Sequence, residues 1–346
     1  MVKLKMGFIG VGGIAQDRHL PTFQIFADRV EFVAVCDTQE NVMKAVAERF
    51  QIPHAFTDYQ ELLPFVDAVV ICTPNKFHKE IAVDALEAGV HVLCEKPMAI
   101  SYDDGKEMIE AAKENGKTLM VAHHYRFMKD VQGAKRLLQQ KEIGDPLVIR
   151  VQALRRRKVP GWGVFTNKEL QGGGSLIDYG SHLLDIALWL LDHPNPVEVI
   201  GTAYNRVSTG AEQVNEWGSF DASRFEVDDH VTAYIRFSWD ISLLFETSWA
   251  ANISEDKQVL EISGSEGGLS LFPLQMNHAR NGMLINSYAS WIEGEEEESL
   301  SQAEHFIDLC TFPETKPLVT LENALMTNQL IDAIYKSSET KQSVKL

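Results

Sequence analysis

The sequence predicts two units in series: an α/β unit with a doubly wound parallel sheet over residues 1–123, then an α+β unit with a large, mainly antiparallel sheet over residues 124–346. Three observations predict it. The 346 residues exceed one average domain and suit two. The first third alternates short apolar runs with amphipathic stretches, and strands that are apolar almost throughout are buried on both faces, as parallel strands between helices are. Beyond residue 123, strand-like segments follow one another with little helix between them.

In the first unit the apolar runs are Leu4–Ile9, Phe32–Cys36, Ala68–Cys72, Val90–Cys94 and Thr118–Ala122. Helix-like stretches separate them at Asn41–Phe50, His78–Ala88 and Tyr102–Asn115. Ser101 can accept a bond from a free N–H at the start of the last of these, and Gly116 supplies its stop. In the second unit a helix is expected over Asp130–Gln140, a strand over Pro146–Arg155, and an apolar helix over Tyr179–Leu191 after a glycine-rich loop. Strand-like segments follow at Val197–Arg206, Val227–Trp239, Ser242–Ala250 and Val259–Ser263. Two helical patterns, Leu300–Leu309 and Leu321–Ser338, close the chain.

Hydrophobic residues at 45% and charged residues at 23% suit a globular chain with a well-buried core. A net charge of −17 argues against nucleic acid or an anionic membrane as partner. The run Arg155-Arg156-Arg157-Lys158 opposes that balance; it reads as a solvated strand edge, or Arg155 and Arg157 contact a polar or anionic substrate. Cys36, Cys72, Cys94 and Cys310 show no CxxC pair and no metal spacing, and three of them end apolar runs. The expectation is a reduced, cytoplasmic protein. The stretch Met6–Ala15 is broken by four glycines and runs into Gln16-Asp17-Arg18-His19, so it is not read as a signal segment. No apolar run reaches spanning length.

Gly10, Gly12 and Ala15 form a G-x-G-x-x-A pattern between the first strand and the first helix. Gly10 permits the tight turn, Gly12 lets a pyrophosphate approach the backbone, and Ala15 allows close helix–strand packing. Gly13 and Ile14 begin the helix whose free N–H groups face the phosphates. Asp37 ends the next strand; a carboxylate there accepts hydrogen bonds from adenosine-ribose hydroxyls and repels a 2′-phosphate. The expected cofactor is NAD, in preference to NADP. At later strand ends, where open α/β sheets bind ligands, stand Thr73-Pro74-Asn75, with His78 behind them, and Glu95-Lys96-Pro97. Asp178 and His182 are four residues apart at the start of the apolar helix and are expected to share a face. Gly172-Gly173-Gly174 before them would allow close approach to a ligand. The adjacent His123 and His124 are expected on opposite faces of a strand, and no metal site is assigned.

Together these residues, with Gly173-Gly174-Ser175-Leu176-Ile177-Asp178-Tyr179-Gly180-Ser181-His182 and the ending Ala333-Ile334-Tyr335-Lys336-Ser337-Ser338, resemble the Gfo/Idh/MocA family of glucose–fructose oxidoreductase and inositol dehydrogenase-like enzymes. The resemblance covers essentially the whole chain. It implies a Rossmann domain, then a domain with a large open antiparallel sheet, and a homodimer or homotetramer. It also implies a catalytic set of Lys96, Asp178 and His182, and a sugar, inositol or related polyol as substrate. The implied cofactor contacts are Gly10, Gly12, Gly13, Ile14, Asp37, Thr73, Pro74, Asn75, His78, Glu95, Lys96 and Arg126. Many relatives have asparagine where His124 falls; His124, Tyr125, Arg155 and Trp162 are candidate substrate contacts.

The chemistry agrees with that set. Oxidation of an alcohol needs a base of near-neutral pKa for the hydroxyl proton, a role that suits His182. A cation such as Lys96 stabilises the oxygen as charge develops, and Asp178 orients the substrate or His182. The leading expectation is hydride transfer between a nicotinamide and a sugar or polyol. A redox-assisted glycosidase and a catalytically silent NAD-binding sensor are the alternatives.

Overall fold

The computed structural model describes residues 2–318 and 320–346. The first unit holds a six-stranded parallel sheet: β1 (Leu4–Ile9), β2 (Val30–Cys36), β3 (His54–Phe56), β4 (Ala68–Ile71), β5 (His91–Cys94) and β6 (Leu119–Val121), in the order β3-β2-β1-β4-β5-β6. Each apolar run of the first third becomes a strand, because helices cover both faces: β4 and β6 are buried at every residue. Only β3 left no apolar run, since two of its three residues are exposed. The strand order reverses between β1 and β4, and the carboxyl ends of the strands deliver Gly10, Asp37, Cys72 and Glu95 to one edge. Ser101 caps the helix Tyr102–Asn115 by accepting from Asp104 N (3.1 Å), and Gly116 ends it at φ +61°.

The expected division at residue 123 is not a single cut. The chain up to His124 forms the first compact unit together with Glu297–Leu325, while Tyr125–Glu296 and Met326–Leu346 form the second. The returning helix Glu298–Thr311 covers an apolar surface of the first unit, where Phe306 meets the Phe23 ring edge-on (6.3 Å). Asp308 accepts from Arg29 Nη2 (2.5 Å), and Thr118 Oγ1 donates to the Leu309 carbonyl.

The second unit is built on a nine-stranded sheet: β7 (Pro146–Leu154), β8 (Pro196–Tyr204), β9 (His230–Phe237), β10 (Ser242–Ser248), β11 (Lys257–Gly264), β12 (Gly267–Leu271), β13 (Gln275–Arg280), β14 (Met283–Tyr288) and β15 (Val344–Lys345). The order is β14-β13-β12-β11-β7-β10-β9-β8-β15, and every pairing described is antiparallel except β7–β10. Burial alternates along the central strands: Ile149, Val151 and Ala153 of β7 and Leu243, Phe245 and Thr247 of β10 face the core. The strand expected over Val227–Trp239 is shorter, because Trp239 turns at φ +62°. β12, β13 and β14 escaped the sequence reading because their glycines and half-exposed polar residues carry no apolar alternation.

The apolar helix comes out as Ser181–Leu190, buried at every residue and preceded by a π-turn over Leu176–Gly180. Gly180 is where it touches β10: a Cβ there would stand 2.9 Å from Phe245 Cζ and Thr247 Cγ2. On the same helix Asp185 takes a fork of two bonds from Arg126, Nε at 2.7 Å and Nη2 at 2.6 Å, and neither side chain is more than 1% exposed. Breaking such a pair strands a buried charge, so Asp185→Ala should lower the unfolding free energy by about 3–5 kcal/mol. Arg236→Ala, which frees Glu198 on the outward face, should cost no more than about 0.5 kcal/mol. Urea titration of both variants distinguishes the two cases.

Candidate functional site

In the first unit Gly10 leaves β1 at φ +80°, and a Cβ there would lie 2.7 Å from the Thr73 backbone nitrogen. Conformation and space both demand glycine. At Gly12 an added Cβ would meet nothing within 4 Å, so the room over the turn is open. Val11 N donates to Asp37 Oδ2 (3.0 Å) and Gln39 N to Oδ1 (2.9 Å), which pins the carboxylate at the end of β2 while each oxygen keeps a lone pair. Gly13 and the exposed Ile14 lead into a π-turn over Ala15–His19 and the helix Leu20–Ile25. Beyond β4, Thr73 Oγ1 is buried with no hydrogen-bond partner among the described residues, Pro74 is extended, and Asn75 opens a short turn. An open glycine turn, a fixed carboxylate and an orphaned hydroxyl on adjoining strand ends fit an adenine dinucleotide.

Two expected cofactor contacts, His78 and Glu95, have partners within the protein. His78 is wholly buried, its Nδ1 2.9 Å from the Pro97 carbonyl and its Nε2 3.0 Å from that of Thr73, so it ties two strand-end loops together. Burial holds its pKa below the ordinary value despite those bonds. Glu95 is turned toward His19 Nε2 (2.7 Å) and accepts from Lys96 N (3.1 Å). Burial alone would push its carboxyl up, but the hydrogen bond and charge of His19, with the charge of Lys96, hold it at about 2. Lys96 is half-buried past the end of β5, and the Lys96–Pro97 peptide is cis. His123 and His124 lie past the end of β6 rather than in a strand, so the alternation expected for them does not apply. Burial, then the charges of Arg18 and Lys96, lower the His124 pKa to about 3, and it is neutral at working pH.

In the second unit Asp178 lies in the π-turn and His182 in the helix that follows it. Asp228 fixes where this segment starts: its carboxylate accepts from Gly174 N (2.8 Å), Ser175 Oγ (2.8 Å), Leu176 N (3.0 Å) and Tyr335 Oη (2.6 Å). From sequence, Gly173 and Gly174 are expected to let a ligand approach; in the structure they make room for protein packing. Their Cβ atoms would fall 2.0 Å from Tyr335 Oη and from the Asp228 carbonyl oxygen.

Asp178 Oδ2 accepts from Trp249 Nε1 (2.9 Å) and lies 3.5 Å from Arg155 Nη1. The parallel pairing explains this. Leu154 and Ser248 are in register, so β7 and β10 end side by side and release Arg155 and Trp249 together. The His182 ring, 9% exposed, stacks on Tyr125 at 4.5 Å. Trp162, 54% exposed, tilts against Trp217 at 5.5 Å. Arg126, expected at the cofactor, is wholly buried and forks onto Asp185. Asp228, Trp217 and Trp249 escaped the sequence reading; only Trp249, the aromatic end of a strand-like run, carried any signal.

Residues 4–123 match the oxidoreductase family Gfo/Idh/MocA, NAD-binding Rossmann fold, and residues 131–270 its C-terminal domain. D-glucoside 3-dehydrogenase of Escherichia coli (strain K12) is 36% identical over 99% of this chain and 97% of its own. D-xylose 1-dehydrogenase [NADP(+)] of Haloarcula marismortui is 26% identical over 99% of this chain and 93% of its own. A solved levoglucosan dehydrogenase in complex with NADH and L-sorbose has the same fold, with a TM-score of 0.85 at 22% identity over 100% of this chain and 99% of that one. The chain belongs to the Gfo/Idh/MocA oxidoreductases, and its first unit is the family's NAD-binding domain.

The His19–Glu95 pair gives stability a pH signature. The Glu95 carboxyl is held at about 2, against an ordinary 4.5, so its contribution is complete above about 4.5 and is lost as pH falls toward 2. Glu95→Gln should flatten the loss of unfolding free energy between those values relative to the parent, as read by urea titration at successive pH.

Proposed function

We propose that this enzyme moves a hydride between NAD(H) and a secondary ring hydroxyl, or the matching ketone, of an uncharged sugar or glycoside. The full-length likeness to D-glucoside 3-dehydrogenase carries this reading. NAD, held by the glycine turn and Asp37, would supply the hydride acceptor. Oxidation of the alcohol then yields the ketone, NADH and one proton, and the hydroxyl proton is left for this chain's own residues to take. His182, stacked on Tyr125, takes that proton at its imidazole. Lys96 supplies the cation for the substrate oxygen. Asp178, held by Trp249 and Arg155, accepts bonds from substrate hydroxyls.

Relatives divide between NAD and NADP, so the choice rests on Asp37. Its pinned carboxylate supports NAD, because a 2′-phosphate beside it would be repelled. The four cysteines are free, which supports a reducing, cytoplasmic setting. The outward sheet face exposes Ile200, Tyr204, Tyr234 and Leu244, which supports a homodimer or homotetramer.

NADH formation at 340 nm with methyl glucosides, levoglucosan and myo-inositol tests the reaction. His182→Ala should lower kcat by about 10²–10⁴-fold where the parent turns over. Absence of turnover on every such substrate overturns the proposal. For the cofactor, NADP should bind the parent more weakly than NAD, and Asp37→Ala should close most of that gap; equal dissociation constants in the parent would remove the argument.

A further inference from the structure

The segment between β8 and β9 looks like a surface loop, yet it is fastened to the chain leaving β7. Asn215 Oδ1 accepts from Val159 N (2.8 Å) and its Nδ2 donates to the Val159 carbonyl (2.9 Å); Glu216 N donates to the Arg157 carbonyl (2.8 Å). That two-way docking sets Trp217 over Arg155. The guanidinium lies 4.5 Å from the Trp217 ring centroid and 4.3 Å from that of Tyr179 on helix-side residues. Flat cations are held well between two aromatic faces, and Arg155 so held stands 3.5 Å from the Asp178 carboxylate.

The rest of the basic run is occupied as well. Lys158 pairs with Asp256 and Glu216, Arg157 donates to Asn252 Oδ1 (2.6 Å), and Arg156 donates to the Ser254 carbonyl (3.3 Å). Arg155 and Arg157, which in the sequence could contact an anionic substrate, are thus engaged within the protein, as are their two basic neighbours.

We propose that Trp217 is a positioning residue that clamps Arg155 against Asp178, and that this compensated pair selects an uncharged carbohydrate ring over its carboxylated or phosphorylated counterpart. The proposal rests on the reading of Asp178 as a substrate contact. A neutral ring can offer hydroxyls to both members, whereas a carboxylate must meet Asp178 along with Arg155. Released from the clamp, Arg155 can swing away from Asp178 and receive an anion. The clamp therefore governs discrimination as well as binding.

The test measures binding of methyl glucoside and methyl glucuronide to the NAD-loaded protein by calorimetry, alongside kcat and KM, for the parent, Trp217→Phe and Trp217→Ala. The parent should favour the neutral ligand by about tenfold or more, the worth of one hydrogen bond to a charged group. Trp217→Phe should keep most of that ratio, and Trp217→Ala should lose it, with the KM for the neutral substrate raised more than kcat is lowered. A parent that binds both ligands equally, or a Trp217→Ala protein that discriminates as the parent does, overturns the clamp. Discrimination by the parent that is lost in Trp217→Ala, without turnover by either protein, sinks the proposed reaction and leaves the clamp standing. Turnover with the parent's discrimination unchanged in Trp217→Ala does the reverse, and binding of neither ligand sinks both.

Discussion

The second unit is organised around one carboxylate. Asp228 gathers two backbone N–H groups and a hydroxyl at the opening of the Leu176–Leu190 segment, and the phenol of Tyr335 from the C-terminal helix. The first N–H groups of a helix have no acceptor within it and carry a partial positive charge, so an anion there both satisfies donors and sets where the helix begins. That start fixes the height of Asp178 and His182 above the sheet. The next residue acts in the other direction: the Asp229 carbonyl receives Trp249 N (2.9 Å) and Ser248 Oγ (2.8 Å), steadying the tryptophan that holds Asp178. Two successive residues thus tie the helix and the end of β10 to a single strand entry.

The parts that read plainly from sequence were local. Apolar runs between helical stretches gave the strands of the first sheet, and the glycine pattern with Asp37 gave the nucleotide edge, because backbone conformation and burial there are set by residues close in the chain. The supports did not read, since they join distant residues: His78 to Pro97, His19 to Glu95, Arg126 to Asp185, Asp178 to Trp249. Polar side chains of these types occur everywhere on surfaces, and nothing in their neighbours marks them as buried partners. For the same reason the sequence did not show that His78, Glu95 and Arg126, taken as ligand contacts, also join separate segments of the chain. A family pattern records which positions matter without recording whether they touch the ligand or the residue that does.

Two of the segments that carry candidate ligand groups open through a π-turn, Ala15–His19 in the first unit and Leu176–Gly180 in the second. An extra residue in one turn shifts the side chains that follow by part of a turn, and Asp178 and His182 lie on either side of the junction between the π-turn and the α-helix. Such insertions are costly in isolated helices and persist where surrounding contacts fix them. Here those contacts are Asp228 at one opening and the glycine turn at the other.

The return of Glu297–Leu325 to the first unit bears on how the chain comes to be folded. During synthesis the six strands of the first sheet emerge early, yet the helix that covers Phe23 lies nearly two hundred residues further on. Until Phe306 leaves the ribosome, the nascent sheet carries an uncovered apolar surface of the kind that chaperones bind. Maturation of the nucleotide domain is therefore timed by the completion of the domain that follows it.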